Sequence, residues 1–89
     1  MNREDIAGRI KGIIASVAGL DSTAVKDGAS LRDELGIDSL SRIEIGVDVD
    51  YAFKLKLPDE AYQEIDSVEA MVSLVERRLA EMAPVAQSA

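Results

Sequence analysis

The residues best suited to carry chemistry lie at the predicted start of a helix, where Asp38 is followed by Ser39. As an N-cap, Asp38 is expected to accept backbone N–H groups, and Gly36 permits a tight entry. Ser39 is then held outward, and the positive end of the helix favours a phosphate attached to its hydroxyl. Apolar residues are expected to anchor both sides of this turn: Leu35, Ile37 and Leu40. Taken alone, Asp38-Ser39 more often marks an ordinary helix start, so its chemistry depends on context.

Other chemistry is limited by the residue types that the chain lacks. With no Cys and no His, it offers no thiolate nucleophile, no Ser-His-Asp triad and no zinc site built on these ligands. A calcium loop beginning at Asp48 also fails, because its sixth position needs Gly and holds Phe53, and its twelfth needs Glu and holds Asp59. We therefore expect a protein that is not an enzyme and has no metal site.

The net charge of −7, from 17 acidic and 10 basic residues, disfavours nucleic acid as a partner. It suits partner proteins that present Lys and Arg, although charge alone is explained as well by solubility. No apolar run approaches the roughly 18–20 residues of a membrane span, and the mixed charges of the N-terminal stretch are not those of a signal peptide. We expect a monomer in the cytoplasm.

Hydrophobic periodicity predicts an all-α fold: a small bundle of three main helices and one short helix. The main helices are expected over 2–18, over 39–53 and from Asp66 onward, with the short helix over 58–65. Asp66 is the expected N-cap of the last helix, with Glu69 completing a capping box. We expect one domain over residues 1–82 and a disordered tail over 83–89.

The first connection, residues 19–37, is long for so small a domain, and connections of this length are often functional. Ser30 and Gly36 are expected to bound a short helical turn within it. Its apolar residues are expected to pin it to the core: Leu20, Val25, Leu31, Leu35 and Ile37.

Residues 38–57 are ambiguous, because apolar residues alternate strictly from Ile43 to Leu57 as they do in a strand. The same stretch places Ile45, Val49 and Phe53 on one helical face, with Asp38 as N-cap. A strand of some fifteen residues would exceed the usual ~3–10 and would have no partner strand. We therefore predict a helix over 39–53, with Glu44 and Asp48 on its outer face and Asp50 as a solvated position.

The context of Ser39 changes its interpretation. The segment LGIDSLSRIEI closely resembles the 4′-phosphopantetheine attachment motif of acyl carrier proteins, with its Asp-Ser-Leu core. The resemblance extends over nearly the whole chain, through LRDELGIDSL, the second helix and LKLPDEAYQEIDSVEAMVSLV. It implies a four-helix bundle in which Ser39, flanked by Asp38 and Leu40, receives 4′-phosphopantetheine from coenzyme A through a phosphopantetheinyl transferase. The arm then holds acyl groups as thioesters, so the reactive sulfur is imported.

The resemblance also implies how such a carrier meets its partners, which include ketosynthase-type and other acyl-processing enzymes with basic docking patches. The resemblance implies Asp38, Glu44 and Asp48 as recognition residues on the second helix. Arg42 is expected to join them as a departure from the family pattern, because its positive charge near Ser39 changes which partner surfaces are tolerated. The acidic residues Asp59, Glu60 and Glu64 would extend this patch. An acyl pocket, if one forms, would be lined by Ile45, Val49, Phe53, Ile65 and Val72, each of which is first a core residue.

Several residues depart from the pattern of fatty-acid-synthesis carriers. Ser41 and Arg42 replace an acidic and a small polar residue, and Lys54 and Lys56 dilute an acidic run. Gly46 replaces a bulkier residue, and Tyr62 stands where small residues are common. These departures hint at a specialised carrier, and the expected pathway is fatty-acid synthesis or specialised lipid or polyketide synthesis. A peptidyl or aminoacyl carrier, or an unmodified helical interaction module, remains an alternative.

Overall fold

The computed structural model describes residues 2–58 and 60–82. Its elements, in chain order, are α1 (Arg3–Ala18), a short 3₁₀ helix (Ser22–Ala24), α2 (Ser39–Phe53), α3 (Glu60–Gln63) and α4 (Val68–Met82). The predicted all-α fold of three main helices and one short one is confirmed. The described residues contain no helix long and apolar enough to cross a membrane. The disorder predicted for 83–89 and the role predicted for Asp59 lie outside the described residues.

Helix α1 is the element against which both α2 and α4 pack. It begins where the Asn2 side chain accepts the backbone N–H three residues on at 2.8 Å, and it ends where Gly19 takes a left-handed conformation (φ 70°). Its inner face buries Ile6, Ile10 and Ile14 and half-buries Ile13 and Val17. The apolar face of this helix therefore forms one wall of the core.

The stretch that alternates like a strand forms helix α2. Ile45, Val49 and Phe53, at intervals of four, are 0%, 0% and 8% exposed, whereas Val47 and Tyr51 between them are exposed. The alternation arises because α2 carries apolar residues on its outer side as well as on its inner side. A two-residue period in the sequence does not distinguish these two sides of a helix.

The connection between α1 and α2 is fixed to the core by side chains along its length. Of the predicted anchors, Val25, Leu31 and Ile37 are buried and Leu35 is half-buried. Leu20 is a wrong prediction, since it is 37% exposed. Its backbone N–H completes the end of α1 by binding the Ala15 carbonyl at 2.9 Å, which leaves its side chain at the helix end.

Ser30 opens the short turn predicted before α2. Its hydroxyl accepts the backbone N–H three residues on at 3.2 Å, and the Glu34 carboxylate accepts the Ser30 N–H at 3.3 Å. Gly36 closes the turn in a left-handed conformation (φ 66°), and the Ile37 N–H binds the Leu31 carbonyl at 2.8 Å. The segment is a hydrogen-bonded turn rather than a regular helix, and it sets the direction in which the chain enters α2.

Helix α3 is shorter than the predicted 58–65, because both of its ends are tight turns. The carbonyl of Pro58 accepts the N–H three residues on at 3.0 Å, and the carbonyl of Tyr62 does the same at 3.2 Å. Hydrogen bonds of this three-residue type do not continue an α-helical ladder. Of the residues that the structure describes in this stretch, Glu60–Gln63 form regular helix.

The predicted N-cap of α4, Asp66, is wrong by one residue. The Ser67 hydroxyl accepts the backbone N–H three residues on at 3.1 Å, which makes Ser67 the cap. The Asp66 carbonyl instead accepts the Leu31 N–H at 2.8 Å, and the Val68 N–H binds the Ala29 carbonyl at 3.1 Å. This pairing of 29–31 with 66–68, here called the loop pairing, keeps Ser67 extended, so the helix begins after it.

The two candidate caps make a testable pair. We expect Ser67→Ala to lower the free energy of unfolding by about 1 kcal/mol, because it removes an N-cap hydrogen bond. Asp66→Ala should lower it by only about 0.3 kcal/mol, the effect of an exposed charge near a helix N-terminus. Urea unfolding followed by circular dichroism measures both values, and a larger loss for Asp66→Ala would contradict the assignment.

Candidate functional site

Ser39 is the first residue of α2, and its side chain is exposed. The first N–H groups of a helix have no partner within the helix and give this end a partial positive charge. A hydroxyl at this position is accessible to another protein, and a phosphate joined to it would lie in a favourable field. Ser39 therefore lies where the sequence predicts it, exposed at the start of α2.

Asp38 is the N-cap of α2, as predicted. Its carboxylate accepts the Ser41 backbone N–H at 2.8 Å, and its own backbone is extended (φ −80°, ψ 178°). Hydrogen bonds from the Ser41 backbone, first, and from the Ser41 side chain hold the pKa of Asp38 below its usual range. The carboxylate stays ionised at neutral pH and fixes the turn that presents Ser39.

Of the three expected anchors around Ser39, two lie inside and one does not. Ile37 is buried and Leu35 is half-buried, so the chain enters α2 from a fixed point. The anchor role predicted for Leu40 is wrong, because its side chain is 75% exposed. Position 40 lies on the side of α2 opposite to the buried Ile45 and Val49, since successive helical residues turn by about 100°.

A groove of about 330 Å³ lies beside Ser39, between α2 and α3. Arg42, one turn beyond Ser39, lines it, and its guanidinium donates to the Ile65 carbonyl at 3.2 Å. The remaining lining residues are Ile43, Tyr62 and Gln63. A cation near the entrance and a mixed polar and apolar lining fit an extended group that begins with a phosphate and continues through amides.

The outer face of α2 combines acidic and apolar side chains. Glu44 and Asp48, one turn apart, are exposed, as predicted. The exposed apolar residues of the same face are Leu40, Ile43, Val47 and Tyr51. Arg42, which the sequence groups with Glu44 and Asp48, is half-buried and turned toward Ile65, so it lies with Ser39 rather than with the acidic pair.

The five residues suggested for an acyl pocket lie in or against one core. Ile45, Val49, Phe53 and Val72 are buried, and Ile65 is half-buried against them. The Arg9 guanidinium lies 5.1 Å from the centre of the Phe53 ring, which places that ring at the edge of the core.

The expectation that Asp50 is a solvated surface residue is wrong. Its carboxylate accepts the backbone N–H groups of Lys56 at 3.1 Å and Leu57 at 2.9 Å, and the hydroxyl of Tyr62 at 2.9 Å. The partners lie six, seven and twelve residues further along the chain. No local pattern of the sequence therefore indicates this role.

Gly46 and Tyr62, both noted as departures in the sequence, meet in the structure. A side-chain carbon added at Gly46 would lie 2.8 Å from Cγ of Tyr62, and Tyr62 is 4% exposed. The ring therefore occupies space that a larger residue at 46 would need. The sequence shows that both positions hold residues of unusual size, but it does not show that the two residues meet and compensate each other.

Comparison with known proteins agrees with this geometry. A family model described as a phosphopantetheine attachment site matches residues 8–75, well over half of the chain. An acyl carrier protein of Thermotoga maritima is 35% identical over 78 residues, which cover 88% of this chain and 96% of the relative. An acyl carrier protein of Rubrobacter xylanophilus is 37% identical over 75 residues, covering 84% and 93%. The chain therefore belongs to the acyl carrier protein family, whose members hold acyl groups on a covalently attached 4′-phosphopantetheine.

Proposed function

We propose that Ser39 is the residue that receives the 4′-phosphopantetheine arm. The exposed hydroxyl at the first position of α2 supports this, and it is the observation on which the proposal rests. A phosphopantetheinyl transferase joins Ser39 Oγ to the phosphorus of the arm and breaks the pyrophosphate bond of coenzyme A. Adenosine 3′,5′-bisphosphate leaves, and the hydroxyl proton of Ser39 passes to a base that the transferase supplies. The terminal thiol of the attached arm supplies the thioester chemistry that the Cys-free chain lacks.

The surroundings of Ser39 suit a phosphodiester there. The positive end of α2 and the Arg42 guanidinium both attract its negative charge. The Asp38 carboxylate would repel it, but its hydrogen bond to the Ser41 N–H turns it back onto the helix. The groove beside Ser39 offers the arm a surface on which to lie.

The attachment residue is tested by intact mass. After incubation with coenzyme A and a broad-specificity transferase, the wild-type protein should gain the mass of one arm and Ser39→Ala none. Ser41→Ala is the matched control, since it removes the neighbouring hydroxyl and should still gain one arm. An arm on Ser39→Ala would move the site elsewhere, and no arm on the wild type would contradict modification of this chain.

We propose that partner enzymes dock on the outer face of α2. Glu44 and Asp48 offer charge to basic patches, and the exposed apolar side chains around them offer contact area. Glu60 and Glu64, both exposed, extend the acidic surface toward α3. Arg42 adds one positive charge close to Ser39, which discriminates against partners that present a cation there.

Charge reversal tests the docking face. In the double variant Glu44→Lys/Asp48→Lys, we expect kcat/KM of the transferase to fall roughly five- to thirtyfold, because each exposed ion pair contributes about 0.5–1 kcal/mol. Glu69→Lys/Glu4→Lys is the control, since both residues line a different groove between α1 and α4 and the net charge changes equally. Equal losses in the two variants would show a general charge effect and contradict docking on α2.

We propose that this chain performs no catalysis and carries acyl groups among enzymes of fatty-acid or specialised lipid or polyketide synthesis, in the cytoplasm. The acidic outer face of α2 supports a fatty-acyl or polyketide carrier over a peptidyl one. Mass spectrometry of the thioester released from protein purified from its source identifies the cargo, and an aminoacyl group would favour the peptidyl alternative.

A further inference from the structure

The space between α2 and α3 is closed by one aromatic ring. Tyr62 projects from α3 onto Gly46 of α2, where an added side-chain carbon would lie 2.8–3.2 Å from three of its atoms. Both residues are buried. We call the line along which Gly46 and Tyr62 meet the α2–α3 seam. Close packing of this kind leaves no room for a further group unless the ring moves.

The ring is held in place at its far end. The Tyr62 hydroxyl donates to Asp50 Oδ2 at 2.9 Å, and the same carboxylate accepts the N–H groups of Lys56 and Leu57. Moving the ring therefore breaks a hydrogen bond to a charged group that is already committed to the backbone. Tyr62 is fixed both by packing at Gly46 and by hydrogen bonding at Asp50.

Tyr62 also separates the groove beside Ser39 from a second groove. The first, of about 330 Å³, lies toward the start of α2. The second, of about 260 Å³, lies toward its end and is lined by Val47, Asp50, Tyr51, Leu57 and Tyr62. Both grooves include Tyr62, so the ring lies under the surface that an acyl chain reaching out from Ser39 meets first.

The geometry points to Tyr62 as a plug that keeps the acyl chain out of the core. The acyl chain lies instead on the outside of the α2–α3 seam, where partner enzymes reach it without extracting it from the core. This inference rests on the proposed attachment at Ser39, and it makes Tyr62 the residue that decides whether the acyl chain lies inside or outside the bundle. Cargo length then has little effect on the fold, because the bundle buries none of the added methylenes.

Thermal unfolding of loaded protein tests the plug. Wild type carrying acetyl, octanoyl and decanoyl arms should unfold at one common Tm. Unloaded Tyr62→Ala should have a lower Tm than unloaded wild type. Its Tm should then rise by roughly 4 °C or more from the acetyl to the decanoyl form, because an acyl chain that enters the opened seam stabilises the folded state. Tyr62→Val serves if the alanine variant does not fold, since it opens the seam less.

Tyr62→Phe is the matched control, because it keeps the ring and removes only the hydroxyl. Its Tm should rise with acyl-chain length less than that of Tyr62→Ala, because the ring still fills the seam although its hydrogen bond to Asp50 is gone. Cleavage of the thioester by hydroxylamine gives a second readout: the rate should be the same for acetyl and decanoyl wild type and several-fold slower for decanoyl Tyr62→Ala.

Two results would overturn the plug: a wild-type Tm that rises with acyl-chain length, or a Tyr62→Ala Tm that does not. Intact mass, measured first, keeps the two proposals separate. An arm found on another residue would overturn attachment at Ser39, whereas an arm on Ser39 with a chain-length effect in the wild type would overturn only the plug.

Discussion

The carboxylate of Asp50 holds together the part of the chain that follows α2. The Asp50 carbonyl accepts the N–H groups of Lys54 and Leu55, and its side chain accepts those of Lys56 and Leu57, so four consecutive residues bind to one. Lys54 and Lys56 have left-handed backbones (φ 55° and 57°), which cost about 1–2 kcal/mol each for a residue with a side chain. Hydrogen bonds to a charged acceptor, at about 1.5–3 kcal/mol each, offset that strain. The result is a turn that buries Leu55 completely and brings α3 back against α2.

The other end of α2 is positioned by backbone contacts from a distant part of the chain. The loop pairing joins 29–31 to the start of α4, and the bond from the Ile37 N–H to the Leu31 carbonyl continues from there to the entry of α2. Ser39 is thus connected to α4 through hydrogen bonds rather than through a flexible connection. This explains how a connection of twenty residues presents a serine on a rigid element: its length serves to reach α4 and return.

Helix α2 serves both the core and the surface, as the small size of the chain requires. A domain of this length buries only about 60–65% of its unfolded surface, so few elements are available for separate tasks. The inner face buries Ile45 and Val49, while the outer face leaves Leu40 and Tyr51 exposed at 75% and 85%. An exposed apolar row bordered by carboxylates is costly in water, and a partner that covers it recovers the cost.

Features that depend on neighbours in sequence were predictable, and those that depend on distant partners were not. The caps Asn2 and Asp38 and the left-handed glycines Gly19 and Gly36 follow from local rules, and they lie where the rules place them. The cap of α4 moved to Ser67 because a strand-like pairing with residues 29–31 took the preceding carbonyl. Asp50 departed from its expected role for the same reason, because its hydrogen-bond partners lie six to twelve residues further along the chain. The exposure of Leu40, by contrast, follows from the helical period, which places it opposite Ile45 and Val49.

The contact of Gly46 with Tyr62 shows how two residues far apart in the sequence together determine the packing of the core. A glycine within a helix costs about 1 kcal/mol relative to alanine, so α2 is weakened at its centre. The buried ring of Tyr62 returns more than this in apolar contact, and its hydroxyl is satisfied by Asp50. The volume missing from α2 is therefore supplied by α3, and the core is filled by a side chain that is anchored at both ends. A seam filled by separate aliphatic side chains could part by small rotamer changes, whereas one closed by a tethered ring must break a hydrogen bond to open. Stability and closure of the seam thus come from the same residue.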